Sequence, residues 1–333
     1  MKQTIWLLID SRHFGGIESH ILQLAKALQQ EQHPVHIIFL KKYPEKHPLA
    51  TALSKAGLPY ISLHNTFSGL NQLLKSSPPS IMHTHGYKAG IVGRLMGIIH
   101  SVPVISSFHA GENKQGKLAI YDLIDRYSSF LSTQRIAVSE PIAHSVPFKT
   151  TVINNFLSNV KQPISQGGNV AFVGRLSYEK GADRILTLAK NMPQTHFDIY
   201  GDGPEREMLQ HAATDNVTFH GQQDMSKQWS NVGVLLMPSR FEGLPMAAIE
   251  AMARGIPVIG FNVGSLNKLI KNENNGWLIP DQRVLLFQDA LFAYLNQLPT
   301  QRRQYQQAAQ KTVRQGFSDQ AILPQLLNLY RVA

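Results

Sequence analysis

Residues 232–259 read VGVLLMPSRFEGLPMAAIEAMARGIPVI, and this stretch predicts a strand, a helix and a second strand. The apolar run at 232–237 is typical of a buried strand. Pro245 suits the first turn of a helix, the Ala- and Met-rich run continues it, and Gly255 suits its C-terminal cap. A strand, a crossover helix and another apolar strand form a βαβ unit, which predicts a parallel sheet covered by helices.

The same alternation of short apolar runs and longer amphipathic stretches continues along the whole chain. In the first half, strands are predicted near 3–9, 34–40, 59–63, 80–84, 103–108, 134–138 and 151–153. In the second half, they are predicted near 169–174, 195–200, 216–219, 232–237, 256–260 and 276–280. The pattern predicts an α/β protein with two doubly wound, Rossmann-like domains.

A polar, turn-rich stretch at 154–168 separates the two sets of strands and is typical of an interdomain linker. The predicted parts are an N-terminal domain at 1–158, a C-terminal domain at 159–315 and a helix at 316–333 that packs back on the N-terminal domain. Doubly wound sheets bind ligands at the carboxyl ends of their strands, so we expect a ligand cleft between the two domains.

Composition excludes several classes of protein. The 333 residues carry 32 Lys and Arg against 22 Asp and Glu, a net charge of +10, and 43% of them are hydrophobic. This apolar share is typical of globular proteins and excludes disordered and fibrous chains. The absence of cysteine excludes a disulfide scaffold and a Cys nucleophile, and it favours a cytoplasmic compartment. The apolar run at 5–9 is too short for a signal peptide or a membrane span.

Two glutamates flank the start of the helix in the opening stretch. Glu242 precedes the helix, and Glu250 lies about 7.5 Å beyond Pro245 along its axis, at 1.5 Å per residue. The N–H groups near Met246 and Ala247 are expected to favour a phosphate. The pair is therefore predicted to bracket a nucleoside diphosphate, although an isolated pair of this kind is more often one loop acid and one solvated helix residue.

Two neighbouring strand ends are also equipped for an anion. After the strand at 169–174, Arg175 and Lys180 are placed to meet a pyrophosphate, the alternative being that both are ordinary surface cations. After the next strand, GDGP at 201–204 resembles the start of a dinucleotide fingerprint. Arg206 stands where the third glycine would be, so this is weak evidence for NAD, and plain turn chemistry explains it equally well.

Four segments in this order resemble the retaining glycosyltransferases with the GT-B fold, specifically the large family four of sugar-nucleotide-dependent enzymes. The segments are GGIESH at 15–20, GRLSYEKG at 174–181, GDGP at 201–204 and FEGLPMAAIEAMARGIPVI at 241–259. The resemblance covers essentially the whole chain. It implies a hexosyltransferase that uses a nucleoside-diphosphate sugar, with a UDP-sugar as the expected donor and no cofactor.

The resemblance implies a role for each matching residue. The matches to Arg175 and Lys180 bind the donor diphosphate, the match to Glu250 holds the ribose hydroxyls, and the match to Glu242 contacts the donor sugar. The other donor-binding residues implied are Gly15, Gly16, Gly174, Gly201, Gly203, Gly243, Leu244 and Pro245. The predicted catalytic set consists of His109, Glu242, Arg175 and Lys180. His109 follows the strand at 102–108.

Histidines end two strands of the N-terminal half. His109 is placed to hydrogen-bond a donor-sugar hydroxyl or to assist transfer, the alternative being a structural or acceptor-loop role. His83, His85, Lys114 and Lys117 are predicted to bind the acceptor. We expect the rings of His83 and His85 to point to opposite sides of their strand, which argues against a metal pair.

The sequence predicts transfer without a metal ion. It contains no D-x-D motif and no carboxylate–histidine cluster at ligand spacing. Arg175, Lys180 and helix N-termini are expected to meet the charge that a divalent cation would neutralise. The resemblance implies leaving and attack on one face of the sugar, with a diphosphate oxygen taking the acceptor's proton and no protein nucleophile.

The N-terminal half, residues 1–158, carries 15 basic and 8 acidic side chains. The resemblance assigns the acceptor to this domain. Lys41, Lys42, Lys46, Lys114, Lys117 and Arg126 are predicted to meet an anionic lipid-linked glycan or the cytoplasmic face of the inner membrane, unless they are dispersed solubilising charges. The helix near 116–131 is predicted to lack a sustained apolar face, so we expect no membrane anchor there.

The predicted function is transfer of a hexose, with retention, to a cell-envelope glycan or glycolipid such as lipopolysaccharide or capsule. A nucleotide-sugar epimerase on the same scaffold is the alternative, and it would change the sugar nucleotide without an acceptor. A phosphorylase would show a pyridoxal-phosphate lysine motif, which is not found. A nucleic-acid partner is not expected, because no basic stripe is interleaved with aromatic residues.

Overall fold

The computed structural model describes residues 2–109 and 116–333. It contains two compact units, one formed by the chain up to Ser158 together with Asp319–Ala333, and the other by Asn159–Ser318. Each unit is built on one parallel sheet, so the α/β class predicted from the sequence is confirmed. Every predicted strand is present, and its ends lie within two residues of the predicted ones.

The first unit has a seven-stranded sheet in the order β3-β2-β1-β4-β5-β6-β7. The strands are β1 (Ile5–Ile9), β2 (Val35–Phe39), β3 (Tyr60–Ser62), β4 (Ile81–His85), β5 (Val104–Phe108), β6 (Gln134–Ala137) and β7 (Thr151–Val152). The helices are α1 (Gly16–Gln30), α2 (Pro48–Lys55), α3 (Thr66–Ser76), α4 (Tyr87–His100), α5 (Lys117–Tyr127) and α6 (Glu140–Ser145), with a 3₁₀ turn at Ser128–Leu131 after α5. The strand order reverses between β1 and β4.

The second unit has a six-stranded sheet in the order β10-β9-β8-β11-β12-β13. The strands are β8 (Asn169–Val173), β9 (Phe197–Tyr200), β10 (Val217–Gly221), β11 (Val232–Met237), β12 (Val258–Phe261) and β13 (Gly276–Ile279). The helices are α7 (Ala182–Asn191), α8 (Arg206–Ala212), α9 (Met225–Gln228), α10 (Met246–Ala253), α11 (Leu266–Leu269), α12 (Val284–Leu295) and α13 (Pro299–Gly316). Here the order reverses between β8 and β11.

The last helix, α14 (Asp319–Arg331), packs in the core of the first unit. Ile322, Leu326 and Tyr330 are buried there beside Ile5 and Ile21. Burying several large apolar side chains stabilises a helix by about 1.5–3 kcal/mol for each one, which exceeds what helix propensity supplies. The end of the chain is therefore part of the first hydrophobic core.

No helix among the described residues is long and apolar enough to cross a bilayer.

Candidate active site

The carboxyl ends of β8 and β11 lie at the point where the strand order of the second sheet reverses. Loops that leave the two strands here run to opposite faces of the sheet, so a crevice opens between them. The loop after β8 carries Arg175 and Lys180, and the loop after β11 carries Glu242. Most of the predicted donor-binding residues of this unit therefore lie on adjacent loops.

An ion pair joins the two loops. Lys180 Nζ lies 2.8 Å from both carboxylate oxygens of Glu242. The hydroxyl of Ser239 donates a third hydrogen bond to the same carboxylate, also at 2.8 Å. The side chain of Glu242 is only 3% exposed, whereas Lys180 is partly exposed. A buried carboxylate needs such partners, so Glu242 is held in one orientation and the lysine ammonium still faces solvent.

The loop of Glu242 is fixed from its other side by Arg240. The backbone N–H groups of Arg240 and Phe241 both donate to the carbonyl of Glu179. The Arg240 guanidinium forms two hydrogen bonds to Asp183, at 2.8 and 2.6 Å, and covers the ring of Tyr178. The bond to Asp183 raises the pKa of Arg240. This loop is therefore preorganised by contacts that do not use Glu242 itself.

The glycines of the GDGP turn allow two loops to touch through their backbones. Gly201 has a φ of +139°, and a Cβ there would lie 1.8 Å from the carbonyl oxygen of Gly174. A Cβ on Gly203 would lie 2.3 Å from the carbonyl oxygen of Leu176. A backbone hydrogen bond also joins the turn to the loop after β8, since the Leu176 N–H donates to the Asp202 carbonyl at 2.9 Å. Gly201 and Gly203 are therefore required for the packing of these two loops. A role in binding the donor would be a second function of the same glycines.

The helix of the opening motif begins one residue later than predicted. Pro245 is the N-cap, with a φ of −72° and a ψ of 125°, and α10 starts at Met246. Gly255, with a φ of +70°, follows the C-cap as expected of a residue in the left-handed region. Glu250 is half-buried on α10, and Arg175 is exposed. The first turn of α10 thus directs backbone N–H groups toward the carboxyl edge of the sheet.

In the first unit, the site consists of imidazoles at the reversal point between β1 and β4. His20 on α1, His85 at the end of β4 and His109 after β5 each place one ring nitrogen within 4.8 Å of the others. His85 Nδ1 lies 3.0 Å from His109 Nε2. One hydrogen shared between these atoms engages Nε2 of His109, so only Nδ1 of this ring remains for a substrate hydroxyl.

The prediction that His83 and His85 point apart is wrong. Their ring centroids lie 4.3 Å from each other, because residues two apart in a strand face the same side of the sheet. His83 is fully buried, and its two nitrogens lie 2.7 Å from the Tyr330 hydroxyl and 2.7 Å from the Ser107 hydroxyl. These contacts place His83 as a support for His85, and its burial does not fit the predicted contact with an acceptor.

Burial keeps these imidazoles uncharged. It lowers the pKa of His20 to about 4 and that of His83 to about 3. Burial, followed by the neighbouring imidazoles, also lowers the pKa of His85 and of His109 well below the ordinary value. At neutral pH the cluster therefore offers neutral rings, which donate or accept hydrogen bonds and are the form that ligates metals.

The trio His20, His85 and His109 is the group, within the described ranges, that is placed to hold a metal ion. His20 Nδ1 and His85 Nε2 are buried and have no hydrogen-bond partner in the described part of the chain. The sequence did not reveal this group, because His20 comes from a helix far along the chain from the other two. The GGIESH motif ends at His20 and was the one sequence feature noted that contains this histidine.

The glycine loop before α1 is closed by a buried acid. The Gly15 N–H donates to Glu18 Oε2 at 2.8 Å, and Gly16 is the first residue of the helix. Burial raises the pKa of Glu18. Of the predicted acceptor residues, Lys114 lies outside the described residues, and Lys117 is the first residue of α5.

Comparison with known proteins agrees with this architecture. The family model "Glycosyl transferases group 1" matches residues 157–312, and "Glycosyltransferase Family 4" matches residues 14–148. An Escherichia coli protein, UDP-Gal:alpha-D-GlcNAc-diphosphoundecaprenol alpha-1,3-galactosyltransferase, is 25% identical over 83% of this chain and 84% of its own. The O-antigen biosynthesis glycosyltransferase WbnH of Escherichia coli is 23% identical over 83% and 86%.

A solved structure shows the same fold. Anabaena Alr3699/HepE in complex with UDP-glucose matches with a TM-score of 0.87 at 16% identity, over 99% of this chain and 100% of that one.

The neutral histidines predict a loss of stability in acid. The folded pKa of His20 is about 4, below its ordinary value of 6.5, so between these pH values the unfolded chain binds a proton that the folded chain does not. Stability therefore falls as pH decreases through this window. We expect the free energy of unfolding to fall by at least about 2 kcal/mol from pH 7 to pH 5 in urea titrations.

The variant His20→Gln should show a shallower dependence on pH than His211→Gln, which alters an exposed histidine of α8. Comparing the slopes removes any constant cost of the substitution. Equal slopes for the two variants would contradict the account of His20.

Proposed function

This chain belongs to the GT-B glycosyltransferases of family four, and from that membership we propose that it transfers a hexose from a UDP-sugar, with retention, to a glycan or glycolipid of the cell envelope. The observation that carries the proposal is the ion pair of Lys180 and Glu242 beside the start of α10. It lies at the strand-order reversal of the unit that matches the group 1 model.

The donor is proposed to bind the second unit through its diphosphate and ribose. The Arg175 guanidinium donates two parallel hydrogen bonds to phosphate oxygens, and the Lys180 ammonium supplies a compact positive charge. The first turn of α10 donates its free N–H groups to the diphosphate. Glu250, farther along α10, accepts hydrogen bonds from the ribose hydroxyls. UDP is the proposed nucleotide, since the Escherichia coli galactosyltransferase uses UDP-Gal and the Anabaena protein was solved with UDP-glucose.

The acceptor is proposed to be a lipid-linked or otherwise anionic glycan that meets the first unit. Residues 1–158 carry a net charge of +7 from 15 basic and 8 acidic side chains. A positive surface favours a phosphate-bearing acceptor. The name of the Escherichia coli relative specifies a diphosphoundecaprenol acceptor, and WbnH acts in O-antigen biosynthesis. The absence of cysteine supports the cytoplasm as the compartment.

The proposed reaction breaks the bond between the sugar's anomeric carbon and the diphosphate oxygen and forms one to the acceptor oxygen on the same face. The acceptor's proton passes to the departing diphosphate. Arg175, Lys180 and α10 stabilise the negative charge that develops on the diphosphate. In the second unit, Glu242 contacts the donor sugar. In the first unit, neutral His109 donates a hydrogen bond to a substrate hydroxyl or accepts one from it, and so holds its orientation.

Removal of either proposed phosphate ligand should reduce turnover. Arg175→Ala and Lys180→Ala are each expected to lower kcat/KM by about 10²-fold, because charge developing in the transition state loses a donor. Lys190→Ala removes an exposed lysine of α7 and serves as the control. The measurement is release of UDP from UDP-sugar in the presence of an undecaprenyl-diphosphate-linked sugar.

Arg175 is exposed, so its variant tests binding without disturbing a buried pair. Unchanged turnover in Arg175→Ala and Lys180→Ala would remove them from the site. Conversion of the sugar nucleotide without an acceptor would identify an epimerase instead.

The product's anomeric configuration tests the stereochemistry. We expect the α-linked sugar of the donor to give an α-linked product, visible in the proton coupling at the anomeric carbon. A β-linked product would contradict retention and require an inverting mechanism.

Transfer is proposed to need no metal ion, because cationic side chains and helix N–H groups meet the diphosphate. Dialysis against a chelator should leave kcat unchanged within about twofold, since no step passes through a metal. A loss of activity that zinc or magnesium restores would contradict metal-independent transfer. It would make His20, His85 and His109 the candidate metal ligands.

A further inference from the structure

The polarity of α5 is inverted relative to that of an ordinary surface helix. Its exposed side chains are Leu118, Ile120, Tyr121, Leu123, Ile124 and Tyr127, with Ile120 60% and Tyr127 59% exposed. Among the side chains of α5 that the structure describes, the buried one is a carboxylate, Asp125. In a soluble protein the apolar stripe of a helix faces the core, so this helix has its apolar side where the polar side is expected.

The apolar surface extends beyond α5. Leu95, Ile98 and Ile99 near the end of α4 are exposed, as are Phe130 and Leu131 in the 3₁₀ turn that follows α5. Because α4 contacts both α5 and the turn, these side chains continue one surface. We call residues 95–99 and 118–131 with their exposed apolar side chains the apolar face. The prediction that the helix near 116–131 lacks a sustained apolar face is wrong.

A buried ion pair holds α5 in this orientation. Arg94 on α4 is fully buried, and its Nη2 lies 2.6 Å from Asp125 Oδ1 and 2.9 Å from the Ser128 hydroxyl. Gly90 makes room for this pair, since a Cβ there would lie 2.2 Å from Asp125 Oδ1. Turning the helix over would move Asp125 to the outside and leave the Arg94 guanidinium buried without its ionic partner, which is strongly unfavourable. The inner contacts of α5 are thus polar and fixed, and its apolar side chains are kept outward.

We propose that the apolar face inserts into the surface of an anionic phospholipid bilayer. Exposed apolar surface of this extent is rare on monomeric proteins and marks a contact site. Leucine, isoleucine and aromatic side chains on a helix parallel to the membrane are the chemistry of interfacial binding, with tyrosine suited to the headgroup level.

Charge identifies the occupant as a bilayer rather than a second copy of the chain. The N-terminal residues 1–158 carry a net charge of +7, so two such units repel each other, whereas an anionic leaflet attracts them. The segment before α5 reads AGENKQ at 110–115 and has no large apolar side chain with which to cover the face. A lipid surface satisfies both the apolar side chains and the positive charge.

The inference deepens the proposed function, on which it rests for the lipid-linked acceptor. An enzyme docked by α5 would meet such an acceptor by diffusion in two dimensions. Membrane binding by the apolar face differs from the binding through dispersed lysines that the sequence predicts. Salt abolishes binding through lysines alone, whereas it only weakens binding through inserted apolar side chains.

Flotation of the full chain with vesicles tests the proposal. Wild type should float with vesicles of phosphatidylcholine and phosphatidylglycerol at low salt and should remain partly bound at high salt. Ile120→Gln/Leu123→Gln should lower the vesicle partition coefficient by at least about tenfold without changing charge. Leu285→Gln/Phe292→Gln is the matched control, since these α12 side chains are 70% and 63% exposed.

The control should float as wild type does, and all three proteins should keep their melting temperature because the changed side chains are exposed. Failure of wild type to float, or equal losses in the α5 and α12 variants, would overturn the proposal. Sedimentation that shows a dimer lost in the α5 variant, without vesicle binding, would assign the face to a second copy. Flotation needs no transfer reaction, so its failure is distinct from a failure of the proposed activity.

Discussion

All strands of a parallel sheet end at the same edge, and the rest of this structure depends on that constraint. Where the strand order reverses, adjacent loops diverge and leave a crevice, so side chains distant in sequence meet there. In the second unit this brings Lys180 after β8 to Glu242 after β11. In the first unit it brings His85 at the end of β4 to His109 after β5 and to His20 on α1. The fold therefore supplies two candidate sites of different chemistry by the same geometry.

The carboxyl edges of the two sheets differ in electrostatics. The difference fits the proposal that the second unit binds the donor and the first unit binds the acceptor. The edge of the second unit combines cations, a buried carboxylate and a helix N-terminus, a set suited to a diphosphate. The edge of the first unit holds neutral imidazoles, because burial lowers the pKa of His20 and His83 below the physiological range. Neutral rings are able to orient hydroxyl groups without adding charge of their own. The Tyr330 hydroxyl links α14, which packs in the first core, to this cluster through His83.

The sequence predicted the strands and the βαβ turns well, because their signals are local. The donor-binding roles stay predictions, and the structure adds that Arg175, Lys180 and Glu242 lie on adjacent loops. Residues 232–259 carry an apolar run, a proline and a capping glycine that fix a βαβ unit without tertiary information. Two features depended on contacts that periodicity does not reveal. The imidazole cluster needs His20 from another element. The prediction for His83 and His85 has a different cause, because the period of a strand itself places residues two apart on the same side of the sheet. The outward apolar face of α5 depends on Arg94 and Asp125, which meet only when α4 and α5 pack together.

Calorimetric titration of UDP into metal-free protein tests the central claim, that the carboxyl edge of the second unit is a nucleoside-diphosphate site. We expect UDP to bind wild type more tightly than GDP, ADP or NAD, and Glu250→Ala to weaken UDP binding by at least about tenfold, since it removes the acceptor for the ribose hydroxyls. Glu207→Ala, which removes an exposed glutamate of α8, should bind as wild type does. Absence of UDP binding, binding of NAD alone, or equal affinity in wild type and Glu250→Ala would contradict the account.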